Sequence, residues 1–198
     1  MADIPFLNPA ILKQLDLPVP SRETTPQLLE KLNLNRPYAP SIEIQSYRRL
    51  YGLDTLNCAH WQGFIEMPLF KLHVQAFQPK LPPQDKVKGT VVLLHGYLEH
   101  SGIYQPIIQE ILEQGFSVLT YDLPGHGLSN GSPASIQDFD HYQQVLHAVH
   151  QYVRHASQLP KPWLGIGQST GGAIWLHHLL EFAERRENPY VERVLLLS

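Results

Sequence analysis

The chain has 198 residues, 43% of them hydrophobic, a formal net charge of −3 and one cysteine. That is enough apolar material for a real core in one domain, and the small negative charge without a long basic run gives no electrostatic footing for nucleic acid. Cys58 cannot form an internal disulfide, the start MADIPFLNPAILKQL lacks the basic and apolar regions of a secretory leader, and no apolar run approaches the roughly 20 residues that span a bilayer. The chain therefore reads as intracellular and cytoplasmic, with any membrane contact peripheral.

Residues 1–57 are expected to form an irregular, partly helical, Pro-rich N-terminal extension. It contains the short pieces PAILKQL, TPQLLEKLNL with Thr25 as N-cap and Pro26 at the first helical position, and SIEIQSYRRLYGL. Leu28, Leu29 and Leu32 could lie on a membrane surface, but packing onto the adjacent domain is the simpler reading. Residues 58–198 are expected to form the second unit. There WQGFIE and KLHVQAF, separated by MPLF, predict an antiparallel hairpin.

The runs TVVLLH (90–95), FSVLTYD (116–122), WLGIG (163–167) and RVLLLS (193–198) are continuously apolar, as expected of parallel strands buried on both faces. Between them lie predicted helices over 101–114, opened by Ser101 and closed by Gly115, over 135–156, opened by Ser135 with Asp138 three residues on, and over 170–186. Strands alternating with helices predict an α/β fold, a mostly parallel doubly wound sheet with an N-terminal β-hairpin.

Reactive groups in such a sheet gather beyond the carboxyl ends of its strands. Ser169 falls there, in Gly167-Gln168-Ser169-Thr170-Gly171, a G-x-S-x-G between an apolar strand and a helix. A turn sharp enough to present the hydroxyl needs small residues two before and two after the serine, and Gly167 and Gly171 meet that need. Gly172 fits a helix that must approach the sheet closely. Two other readings compete. Gly165, Gly167 and Gly171 also spell G-x-G-x-x-x-G, although a dinucleotide loop belongs in the first βαβ unit with an acidic residue ending the next strand. Ser169 could instead be a plain helix N-cap.

The end of the first long strand, His95-Gly96-Tyr97, favours chemistry. A serine attacking an ester needs two N–H donors at the developing oxyanion, one after the serine and one from this earlier loop. The backbone N–H groups of Thr170 and Tyr97 occupy those positions, and Gly96 lets the main chain turn close to a substrate carbonyl. His95 is placed to hold the loop by hydrogen bonds rather than to act as base.

These residues resemble the α/β-hydrolases, and within them the monoacylglycerol lipase and lysophospholipase L2 group, the serine aminopeptidase-like hydrolases. LLHGYLEHSGIY (93–104) is similar to that group's oxyanion segment, YDLPGHGLSNG (121–131) to its D-x-x-GHG-x-S-x-G loop, and GQSTGGAI (167–174) to its nucleophile elbow. The resemblance covers roughly residues 60–198. One departure is Gln168-Ser169-Thr170, where many relatives carry His-Ser-Met.

The resemblance implies a serine ester hydrolase acting on a small lipid ester through an acyl-enzyme on Ser169, without metal or cofactor. It assigns Asp122, His126 and Ser129 to loop structure. It also places the triad acid, the histidine and the lid after the elbow, and no counterpart of them is found before Ser198. Hydrolysis by this stretch alone is expected to be impaired, and the edge RVLLLS is expected to invite self-association. His147 and His150 at i, i+3 and the adjacent His177 and His178 are weak evidence for zinc without a Cys, Asp or Glu in ligand register. The alternative to catalysis is an α/β-hydrolase-fold protein that acts by binding.

Overall fold

The computed structural model describes residues 29–36 and 39–198. PAILKQL, Leu28 and the Thr25–Pro26 helix start lie outside the described residues. What is described of the second piece corrects the helix expected there. Glu30 to Leu32 run extended along the sheet, with Lys31 bridging Phe64, Leu32 N–H donating to Phe64 O and Phe64 N–H donating to Glu30 O. Leu29 and Leu32 are buried against the rest of the chain, not exposed to a surface.

Helix α1 (Ile42–Leu50) follows, capped by Ser41, whose hydroxyl accepts from Ile44 N–H. The hairpin comes next as β1 (Cys58–Glu66) and β2 (Lys71–Pro79), paired antiparallel over their whole length. Then alternate β3 (Thr90–Leu94), α2 (Gln105–Glu113), β4 (Ser117–Tyr121), α3 (Asp140–Val153), β5 (Trp163–Gln168), α4 (Thr170–Arg185) and β6 (Arg193–Leu197). The sheet order is β1-β2-β4-β3-β5-β6. β4, β3, β5 and β6 are parallel, and β2 joins β4 antiparallel.

Both faces are covered at the centre. α3 and α4 lay Tyr142, Val145, Leu146, Val149, Ile174 and Trp175 over Val92, Leu94, Leu119 and Tyr121. On the opposite face α2 lays Ile108, Ile111 and Leu112 over Val91, Leu93 and Val118, beside Tyr47 of α1. Every residue of β3 and β4 is accordingly buried, as their continuous apolar runs require. The expectation fails for the other two parallel strands. β5 alternates buried with half-buried positions, and β6 is mostly exposed because among the described residues β5 is its one neighbour in the sheet.

Two helix starts also differ from expectation. Residues 101–104 form a 3-10 turn before α2, whose first turn contains Pro106. α3 begins at Asp140 rather than Ser135, because Ser135 is tied into a turn with Ser132 while the Asp138 side chain accepts from Asp140 N–H. No helix among the described residues is long and apolar enough to cross a membrane.

Candidate active site

Ser169 sits between β5 and α4 with φ 46° and ψ −106°, a left-handed backbone that a non-glycine residue adopts only when its surroundings enforce it. The enforcement is steric. A Cβ on Gly167 would lie 2.4 Å from the Gly171 carbonyl group, and one on Gly171 would lie 2.4 Å from Leu94 O. Ser169 N–H donates to Leu197 O of β6 at 2.9 Å, which fixes the turn from the other side. The side chain is exposed and makes no capping hydrogen bond to α4. An N-cap serine would be extended and bonded to its helix, so capping does not explain this residue. Nor do the glycines form a phosphate loop, since Gly165 and Gly167 lie inside β5, with Gly165 packed under the Trp175 ring.

The neighbouring strand brings the second component. Leu94, the last residue of β3, pairs with Gly167, so the loop after β3 emerges beside the elbow. A Cβ on Gly96 would come within 3.4 Å of Gln168 Cγ. His95 is 1% exposed, its Nδ1–H donating to Gly96 O at 2.8 Å and its Nε2 accepting from Leu123 N–H at 2.9 Å. Burial, opposed in part by Asp122 and the Gly96 carbonyl, brings its pKa down to about 4. With both nitrogens engaged, His95 holds the loop and offers no lone pair to a serine. Tyr97 is exposed and its hydroxyl donates to Ala134 O.

Asp122 closes the loop after β4 from below and is wholly buried. One carboxylate oxygen accepts from Ser101 N–H and Ser101 Oγ–H, and the other from Leu128 N–H and from His73 Nδ1–H at 2.8 Å. Burial alone would raise this carboxyl, but His73, then His100 and His95, outweigh it and hold the group well below the usual carboxylate range. His126 is 2% exposed, its Nδ1–H donating to Pro124 O, and its ring lies near His95 and Tyr97. The Ser129 hydroxyl donates to Asp122 O. Asp122, His126 and Ser129 thus shape the loop that flanks Tyr97.

The two histidine pairs singled out in the sequence are elsewhere. His147 and His150 of α3 and His178 of α4 surround Tyr190, with His150 stacked on its ring at 3.8 Å and His178 Nε2 accepting from Tyr190 N–H. His177 faces Asp140 at 3.6 Å. Among the described residues none of these histidines bonds the Ser169 hydroxyl. A cavity of about 700 Å³ lies between residues 30–36 and Tyr152 and His155, away from the elbow.

Three residues not singled out above, His73, Glu99 and Tyr104, also hold the loops of the site. His73 sits at an inward position of a strand whose apolar pattern hides it, yet it pairs with Asp122. Glu99 Oε2 accepts from Gly96 N–H at 2.7 Å and from Tyr104 Oη–H at 2.5 Å. The signal for that pair was present, in a glutamate three residues after the glycine and a tyrosine five residues beyond it.

Comparison with known proteins places the chain in a family. Residues 85–197 match the profile of the family described as "Serine aminopeptidase, S33". Caffeoylshikimate esterase of Arabidopsis thaliana is 32% identical over 117 residues, covering 58% of this chain and 34% of that protein. A monoglyceride lipase homolog of Monkeypox virus is 34% identical over 92 residues, covering 44% of this chain and 31% of that protein. A soluble variant of monoglyceride lipase from Saccharomyces cerevisiae, solved with a substrate analog, superposes with a TM-score of 0.55 at 20% identity, covering 67% of this chain and 42% of that one. The last likeness shows the fold. The chain spans about a third of the length of the two curated relatives.

Proposed function

The chain belongs to the serine aminopeptidase S33 family of α/β-hydrolases, and from that premise we propose that it is the nucleophile-bearing part of an esterase acting on carboxylic esters of lipids, of the monoacylglycerol or lysophospholipid type. Residues 58–198 are the N-terminal part of its hydrolase domain, and 1–57 an N-terminal extension to it. The names of the relatives, an esterase and a lipase homolog, support ester chemistry. The exposed Tyr97 and Leu98 beside the elbow offer apolar surface to an acyl chain.

In the reaction proposed, Ser169 Oγ attacks the ester carbonyl, and its proton passes to a base and then to the departing alcohol. The tetrahedral oxyanion accepts hydrogen bonds from the backbone N–H groups of Tyr97 and Thr170, the latter at the N-terminus of α4 where the helix dipole adds its field. Water then attacks the acyl-enzyme and releases the carboxylic acid. No histidine of the described residues hydrogen-bonds the Ser169 hydroxyl, and we assign the base and its carboxylate partner to the part of the relatives' length that this chain does not span. The observation that supports this reading best is the left-handed Ser169, forced by Gly167 and Gly171 into a turn that leaves its hydroxyl exposed and uncommitted. In the protein made from its own gene, Ser169→Ala should abolish ester hydrolysis while leaving the fold intact. Undiminished hydrolysis in that variant would refute the assignment.

A further inference from the structure

We propose that Glu99 is a positioning residue for the oxyanion hole: its carboxylate holds the His95–Gly96 peptide while the His95 ring holds the Gly96–Tyr97 peptide, so that together they fix the Gly96 backbone and the Tyr97 N–H faces the reacting carbonyl. The proposal rests on reading Ser169 as the nucleophile and Tyr97 as a donor.

The clamp has two jaws. Gly96 N–H donates to Glu99 Oε2 at 2.7 Å, and that oxygen is itself held by the Tyr104 hydroxyl at 2.5 Å. Gly96 C=O accepts from His95 Nδ1–H at 2.8 Å and from Glu99 N–H at 3.4 Å. Neither jaw can swing away, because His95 is buried and tied through Nε2 to Leu123, and Tyr104 is 6% exposed. The cis bond among the described residues is Lys161–Pro162, so Gly96–Tyr97 is trans. In a trans peptide the C=O and the next N–H point in opposite directions. With the Gly96 carbonyl held against the His95 ring, the Tyr97 N–H must face away from it.

The clamp is needed because the turn it holds is strained. Leu98 has φ 62°, with its side chain 60% exposed, and glycine at 96 leaves the adjoining peptide plane easy to rotate. Rotation would replace the donor at the hole with a carbonyl oxygen, which repels an oxyanion. A carboxylate gripping the amide makes a charge-assisted bond, stronger than a neutral one. Burial and the Glu99 carboxylate also push the Tyr104 phenol upward, so it stays a donor at any ordinary pH. Gly96 lies between Glu99 and Gln168, which places the clamp one residue from the elbow.

The test compares Glu99→Ala and Glu99→Gln with the wild-type protein made from its own gene, by amide NMR of ¹⁵N-labelled protein and by kinetics on p-nitrophenyl acyl esters. The wild-type Gly96 amide should resonate far downfield and exchange slowly. Glu99→Ala should return it upfield and broaden or double the Tyr97 amide signal. It should also lower kcat by about 10- to 100-fold with KM little changed, somewhat less than deletion of an oxyanion donor. Glu99→Gln, whose amide oxygen still accepts, should recover most of the loss. Unchanged Gly96 and Tyr97 amides in Glu99→Ala would overturn the clamp, as would a KM effect with kcat intact. Absence of Ser169-dependent hydrolysis in the wild type would instead overturn the functional reading and the oxyanion role with it, while the amide signals would still decide the clamp.

Discussion

The missing Cβ of Gly171 would lie 2.4 Å from the carbonyl oxygen of Leu94, so helix α4 rests directly on the end of β3. This contact sets the separation between the serine turn and the loop that begins at His95. Gly171→Ala must push helix and strand apart, and overpacking of this kind costs about 1–3 kcal/mol. Urea titration should show that loss, and hydrolysis should fall with it because Tyr97 and Thr170 separate.

Asp122 holds four donors from three separate segments: two from Ser101, one from Leu128 and one from His73. Asp122→Ala leaves them buried without an acceptor. A loss of about 3–5 kcal/mol is expected, as when one member of a buried charged pair is removed. Chemical denaturation monitored by Trp fluorescence checks this, and an unchanged midpoint would show that the loop is held by other contacts.

The pH dependence of stability follows from His95. Its folded pKa of about 4 lies below the ordinary 6.5, so the unfolded chain takes up a proton that the folded chain refuses. The stabilisation is present above pH 6.5 and declines as pH falls toward 4, by about 3 kcal/mol for this one buried group. His150 and His178, both lowered to about 4 chiefly by burial, act in the same direction. Asp122, also depressed, contributes stability that begins to be lost as the pH falls through the usual carboxylate range. Urea midpoints measured between pH 7 and pH 4 should fall steadily, and a flat profile would contradict the buried state of His95.

β6 presents Leu195, 54% exposed, and Leu196, 49% exposed, on opposite faces of an edge strand. We propose that this edge pairs with a second copy of the 198-residue chain; sedimentation of that chain should then be concentration-dependent, and Leu195→Lys with Leu196→Lys should suppress it. A wild-type protein that sediments as a monomer at all concentrations would rule the edge out as a contact.

Elements whose partners are close in sequence, or whose apolar runs are buried on both faces, were legible. TVVLL, SVLTY and the glycine-boxed serine announce the centre of the sheet and its turn. The stretch around Lys31 was not, because its leucines have helical spacing while its backbone bonds go to Phe64 of β1, a partner that local pattern does not name. Ser135 resembles a cap and lengthens the expected α3, whereas Asp138 is the residue that bonds the first turn. His73 and Glu99 escaped for a related reason. Their importance comes from Asp122 and Gly96, and only the folded loop brings those groups together.

The most direct test of the central claim is to expose the protein made from its own gene to a fluorophosphonate ester and map the modified residue by peptide mass spectrometry. The account predicts one adduct, on the peptide containing Ser169, absent from Ser169→Ala. An adduct at another residue, or ester hydrolysis that persists with Ser169 unmodified, would contradict it.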